Sequence, residues 1–160
     1  MKRIILPTIF MCAVCACNNS DKAEDMTPPT ITSEGVNACP VDCQKFKRGD
    51  VIPFEYAFAD DTELGNFNIE IHTNADHHTH STSAVECDAD EHEHEHHAEP
   101  VKPWVYNSDF EIPQGQKTYT AIINIDIPAD IDEGEYHFMI RLTDQAGWQQ
   151  LKSVAIRIEE

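Results

Sequence analysis

Hydrophobic and polar residues alternate with a period of two along most of the chain after residue 28. Such alternation is typical of strands that bury one face, and no stretch of this region has a convincing helical period. Residues 104–112 predict one or two further short edge strands, interrupted at Asn107 and Ser108. The main predicted strands are 29–32, 51–59, 66–72, 118–127, 135–143 and 148–158.

Seven or so strands in about 130 residues predict a β-sandwich. The segment Asp132-Glu-Gly134-Glu-Tyr136 resembles the tyrosine corner of immunoglobulin-like domains, in which the tyrosine hydroxyl binds the backbone a few residues upstream. We therefore predict an all-β, immunoglobulin-like antiparallel β-sandwich of about seven strands over residues 29–160. It carries a His/Asp/Glu-rich loop insertion at 73–103, after the third core strand.

The amino terminus has the pattern of a lipoprotein signal peptide at residues 1–16. A positively charged pair precedes an apolar run, Ile4–Val14, that is too short to span a membrane. Residues 14–17 (Val-Cys-Ala-Cys) resemble a bacterial lipobox, so Cys17 is the predicted lipidation site, with the two cysteines before it as rivals. Ordinary signal cleavage with a soluble product is the alternative.

Residues 17–28 are polar and acidic, which predicts a flexible linker between a lipid anchor and the domain. The start of this linker resembles the acidic signals that direct Bacteroidota lipoproteins to the cell surface. We therefore expect an outer-membrane lipoprotein that faces the periplasm or the cell surface and touches the membrane only through its lipid.

Histidine is concentrated in one part of the chain. Eight of the nine histidines lie between His72 and His97, and the ninth is His137. Neutral imidazole is the commonest protein ligand for borderline transition metals, and the interleaved carboxylates add oxygen ligands and negative charge. The stretch therefore predicts a metal site.

Two of these histidines are expected to meet across a sheet. In an immunoglobulin-like sandwich the strands at 66–72 and 135–143 are antiparallel neighbours, so His72 at the end of one lies beside His137 at the start of the other. Both fall on the face opposite to the core residues. The alternative for each alone is an ordinary solvated surface histidine.

The loop that follows His72 supplies the remaining predicted ligands. A His-x-His pair in an extended segment places both rings on one side, so His78 and His80 are the loop's ligands. Asp76 is a further ligand or accepts a hydrogen bond from one.

The alternating Glu and His residues of 91–97 form a low-complexity tract. One interpretation is weak metal scavenging and the other is a solvated spacer. The possible secondary metal ligands are His77, His92, His94, His96 and His97.

Three cysteines remain after the leader: Cys39, Cys43 and Cys87. Export permits a disulfide, which could join the first two or link either to Cys87, and one thiol is left over in every case. A zinc knuckle is disfavoured because no second cysteine pair stands at ligand spacing.

The excess of acidic over basic residues favours the binding of cations. The sequence has 11 Lys and Arg against 29 Asp and Glu, a formal net charge of −18. Residues 1–16 hold two of the basic residues and no acid, so their removal leaves 9 against 29, or −20. Such a charge argues against binding nucleic acid or an anionic membrane surface.

The order of these motifs over about residues 28–158 resembles a family of Bacteroidota lipoproteins catalogued as domain of unknown function 4625. The resemblance implies a lipid-anchored, exported, immunoglobulin-like protein and supplies no established activity. The Glu-His tract is an embellishment on the family pattern. The matching segments are Ile69–His72, Asp76–His80, Ile127–Pro128, Gly134–His137 and Asp144–Gly147.

Together these features predict a lipid-anchored transition-metal-binding protein that captures or buffers metal or delivers it to an outer-membrane importer. Zinc is preferred because it accepts any ligand geometry, with copper and nickel as alternatives. A different interpretation is an interaction module for a protein or glycan, with Trp104, Tyr106 or Trp148 as contacts. No enzyme activity is expected. A metal-dependent hydrolase with Asp76 as base is disfavoured because neither a Gly-rich loop nor a nucleophile elbow is present.

Overall fold

The computed structural model describes residues 24–73, 87 and 101–160. Within these ranges the chain forms eight strands and no helix, and so no helix there could cross a membrane. The strands are β1 (Thr30–Thr32), β2 (Gln44–Lys47), β3 (Val51–Ala59), β4 (Leu64–Thr73), β5 (Tyr106–Glu111), β6 (Thr118–Asp126), β7 (Gly134–Asp144) and β8 (Gln149–Glu159).

The strands form two sheets, with the orders β1-β3-β6 and β2-β8-β7-β4-β5. Every pairing is antiparallel except that of β2 with β8, which is parallel. Phe54 of β3 stacks on Phe138 of β7 with ring centroids 5.8 Å apart, so the core lies between the two sheets. The predicted all-β, immunoglobulin-like sandwich is confirmed.

Period-two alternation in the sequence becomes alternation of burial in the strands. In β3, Ile52, Phe54, Tyr56 and Phe58 are each no more than 1% exposed, while the residues between them are partly or fully exposed. In β4 the buried residues are Leu64, Gly65, Phe67, Ile69 and Ile71. The apolar face of each sheet therefore packs on the other, and burial of this surface is the main stabilising contribution.

The tyrosine corner has the predicted hydrogen bond. The hydroxyl of Tyr136 donates to the carbonyl oxygen of Asp132 at 2.8 Å and accepts from the backbone N–H of Trp104 at 3.3 Å. Trp104 is 5% exposed and packs against the Tyr136 ring, so it is a core residue. Burial raises the pKa of Tyr136 above that of a solvated phenol.

Two details of the strand prediction are wrong. Strand β2 was not predicted because its four residues contain a single apolar side chain, Phe46, too short a pattern to reveal alternation. Strand β5 is continuous through Asn107 and Ser108, where an interruption was expected. The side-chain amide of Asn68 on β4 donates to acceptors of Asn107, Ser108 and Asp109 and holds this edge strand in register.

Strand β4 begins with a bulge at Gly65, where the pairing with β7 shifts register. A Cβ atom at this position would lie 2.8 Å from the carbonyl oxygen of Thr143, closer than any side chain allows. Glycine therefore permits the close approach that lets β4 and β7 stay paired as far as His72 and His137.

Candidate metal centre

His72 and His137 are direct cross-strand partners in the β4–β7 ladder. Their ring centroids lie 5.6 Å apart, with an angle of 52° between the ring planes. Their chain neighbours Ile71, Tyr136 and Phe138 point into the core and are at most 1% exposed. Both histidines therefore lie on the outer face of the sheet, as the sequence predicts, at the distance expected for facing residues.

His137 is nevertheless buried, with 4% of its surface exposed, which differs from the alternative of an ordinary solvated surface histidine. Two other residues of the same outer face, Met139 and Ala155, are also buried, at 7% and 4%. The side chain of His72 is 21% exposed. An imidazole pair that is largely removed from water interacts more strongly with an ion than the same pair in bulk solvent.

A carboxylate lies beside the more exposed ring. Oε1 of Glu70 is 3.3 Å from Nδ1 of His72 on the same face of β4. This approach is not a hydrogen bond, but the carboxylate places negative charge beside the ring, which favours a cation at the histidine pair. The sequence signal for this contact was the alternation Glu70-Ile-His72, which we had not associated with the metal site.

The cysteine pairing that the sequence left open is Cys43 with Cys87. The backbone N–H of Cys43 donates to the carbonyl oxygen of Ala155 at 2.8 Å, and Ala155 donates to Oδ1 of Asp42 at 3.1 Å. Ala155 is in turn the cross-strand partner of His137. The outer face thus carries a row of four residues: His72, His137, Ala155 and Cys43.

The remaining thiol is Cys39, which is 7% exposed. Its sulfur lies 3.7 Å from Oε1 of Gln44, and burial raises the pKa of the thiol. A neutral, buried thiol is a poor metal ligand and a poor nucleophile. Cys39 is therefore a core residue and does not belong to the metal centre.

The disulfide fixes one point of the histidine-rich insertion. Strand β4 ends at Thr73, directly after His72, and Cys87 is bonded to Cys43 at the other end of the four-residue row. Three strand spacings separate the ends of that row, about 14 Å. The described residues that flank 74–86 are therefore Thr73, next to His72, and Cys87, at the far end of the row.

The structure brings together two of the predicted ligands, His72 and His137. The other predicted residues lie outside the described part of the chain, and their contacts with the pair stay predictions. These are Cys17, Asp76, His77, His78, His80, His92, His94, His96 and His97.

Comparison with curated proteins gives no match. The sequence does match a family described as domain of unknown function DUF4625, over residues 15–159. The match spans the sandwich, the cross-strand histidines and the insertion between them, and the chain therefore belongs to the DUF4625 family.

Proposed function

We propose that the protein binds a transition metal at the end of the β4–β7 ladder, with zinc as the preferred ion. The observation that carries this proposal is the pairing of His72 with His137 at 5.6 Å between ring centroids. Two imidazoles at this spacing, one with the carboxylate of Glu70 beside it, can share one ion.

The insertion supplies the other ligands in this proposal. His78, His80 and Asp76 follow His72 within eight residues, on a segment whose far end is held at Cys87. Anchoring both ends of the segment raises the effective concentration of its side chains at the pair. Three imidazoles and one carboxylate from this set make a tetrahedral zinc site, and copper or nickel would also bind imidazole.

The biological role we infer is capture, buffering or delivery of metal at the outer membrane. The formal charge of −18 attracts cations towards the protein. Lipidation of Cys17 would hold the domain at the membrane without a spanning segment. Mass spectrometry of the membrane fraction should find acyl chains on Cys17, and an unmodified amino terminus in the soluble fraction would contradict the anchor while leaving the metal site untouched.

The alternative is an interaction module that binds a protein or glycan. Trp148 is 40% exposed and Tyr106 is half-buried, so both remain candidate contacts for a partner. Trp104 is buried and is therefore no longer a candidate contact. A metal-dependent hydrolase with Asp76 as base is a third, weaker possibility. Unlike the interaction module, the metal-binding proposal predicts that replacing a single outer-face histidine changes an ion affinity.

The test is calorimetric titration of chelator-treated protein with zinc. The parent should show a tight event with a stoichiometry near one, and His72→Ala should weaken that event at least tenfold because one of its few ligands is lost. Met139→Ala is the matched control, since it also truncates a residue of the outer face of β4–β7 but removes no ligand. Equal affinities in parent and His72→Ala would refute the proposed site.

A further inference from the structure

Three carboxylates converge at the other end of the sandwich from the histidine pair. Asp25 precedes β1, and Asp60 and Asp61 follow β3, so distant parts of the sequence contribute. One ligand oxygen from each of the three lies within 4.8 Å of the others. Strand β4 runs from this end to His72, a distance of about 25 Å at ~3.3 Å per residue. The two clusters are therefore separate.

The two half-buried members of this cluster each have one oxygen satisfied and one buried. Oδ1 of Asp25 accepts from the N–H of Thr27 at 3.0 Å, and Oδ1 of Asp60 accepts from Thr62 and Glu63 at 2.8 and 2.7 Å. Oδ2 of Asp25 and Oδ2 of Asp60 are shielded from solvent and have no hydrogen-bond donor. A buried carboxylate oxygen without a donor is costly, and several such oxygens close together repel one another.

Within the described residues, no side-chain ion pair offsets this repulsion. None of the ion pairs formed there includes Asp25, Asp60 or Asp61. Lys117 approaches, but its ammonium donates to the backbone carbonyl of Asp61 at 2.5 Å. The arrangement of carboxylates is therefore one that a bound cation would stabilise.

A fourth carboxylate at the same end has the same feature. Asp144 is 4% exposed; its Oδ1 accepts from the N–H of Trp148 at 2.8 Å, and its Oδ2 is buried without a donor. The indole N–H of Trp148 donates to the backbone carbonyl of Asp25 at 2.9 Å. Trp148 thus links the nine-tenths-buried Asp144 to the cluster. All three carboxylate oxygens that are buried without a donor in the described ranges lie at this end.

We propose that Asp25, Asp60 and Asp61 bind a calcium ion. The donors are all oxygens, which suit a hard cation, and calcium accepts six to eight oxygen ligands in irregular arrangements that include backbone carbonyls and water. Exported modules of this kind bind calcium at about 0.1–1 mM. Bound calcium would join the segment at Asp25 to the β3–β4 turn and so fix the point where the preceding chain leaves the sandwich. The inference does not depend on the proposed zinc site.

Thermal unfolding of the full-length, chelator-treated protein tests the inference. Calcium should raise the melting temperature saturably, by about 5 °C at tenfold above Kd, while sodium chloride of equal ionic strength should not. Asp60→Asn keeps the Oδ1 acceptor of the turn and removes one charge. It should move the calcium midpoint at least tenfold higher, and without calcium it should melt above the parent because repulsion is relieved. Asp61→Asn, at an exposed position, should weaken calcium binding without risk to the fold.

The matched control is Asp126→Asn, which removes an exposed carboxylate on β6 and should leave the calcium response unchanged. His137→Ala should also respond to calcium like the parent, which separates this site from the zinc site. A calcium effect no larger than that of sodium chloride would overturn the inference. So would an Asp60→Asn protein that melts below the parent without calcium and keeps the full calcium response, because that pattern belongs to a purely structural carboxylate.

Discussion

His72, near the end of β4, faces His137, near the start of the neighbouring strand β7. The ladder beneath them is fixed by fully buried neighbours, among them Ile71 and Phe138. Two ligands on rigid strands lose little conformational freedom when an ion binds. The pair therefore forms the preorganised half of the proposed zinc site, and the other proposed ligands come from the insertion.

Tyr136→Phe should destabilise the fold without touching the metal site. The substitution leaves the carbonyl of Asp132 and the N–H of Trp104 without the hydroxyl that satisfies both, a loss of about 1–3 kcal/mol. Urea unfolding should show a lower midpoint with an unchanged slope. Tyr119→Phe is the control, because the Tyr119 ring is partly buried against Phe67 but its hydroxyl has no hydrogen bond in the described chain. Equal losses in both variants would contradict the role of the corner.

Tyr56 should make the fold sensitive to alkali. Burial, with smaller contributions from the charges of Asp42 and Cys39, raises the pKa of Tyr56 to about 12. Because the folded state favours the neutral phenol, this contribution to stability is complete below the ordinary phenol pKa of ~10 and is lost as pH rises towards 12. Ultraviolet titration should show a tyrosine ionisation near pH 12 that Tyr56→Phe removes, while the late ionisation of Tyr136 remains. A parent titration curve with no such late phase would contradict the burial effect.

The strand prediction succeeded where alternation was long enough to detect. Segments such as β3 and β7 carry four or more alternating apolar residues. The predicted ends of β4 and β7 placed His72 beside His137. The burial of His137 could not be predicted, because it depends on what packs against the outer face and not on the pattern within β7. The carboxylate cluster was missed because Asp25 and Asp60 are far apart in sequence and become neighbours only when β1 pairs with β3.

The disulfide pairing illustrates the same limit. Cys43 is bonded to Cys87, and its backbone is held beside Ala155 of β8. Strand β8 is two strands away from β4, which carries His72. That contact arises from β2 lying parallel to β8, and β2 was itself not predicted. Sequence spacing alone leaves the connectivity of three cysteines open.

Cys43→Ser should weaken both the fold and zinc binding. The bond closes a loop with a sequence separation of 44, so its removal should cost about 2–4 kcal/mol. It also detaches the far end of the segment that carries His78 and His80, which lowers their effective concentration at the pair. Urea unfolding and zinc calorimetry measure the two effects. Cys87→Ser should match Cys43→Ser in both, with no further loss in the double variant; strictly additive losses would contradict a shared bond.

Deletion of Asp90–His97 should lower the number of zinc ions bound without removing the tightest event. This tract is absent from the proposed ligand set, and its four histidines are candidates only for secondary binding. Calorimetric titration of the deletion separates the two classes of site. Disappearance of the high-affinity event would assign the main ligands to the tract and not to the strands.

The most direct test of the metal centre is the shift in melting temperature caused by zinc in the parent and in His137→Ala. Zinc should raise the melting temperature of the parent near pH 7.5, because the unfolded chain cannot assemble ligands from two strands and a loop. The shift should shrink as the pH falls, because protons compete with zinc for the imidazole nitrogens.

His137→Ala should melt slightly lower than the parent without zinc, since a buried side chain is truncated, and should lose most of the zinc-induced shift. Met139→Ala, on the same face of β7, should also melt lower without zinc but keep the full shift. A His137→Ala protein that retains the whole zinc-induced rise in melting temperature would contradict a site built across β4 and β7.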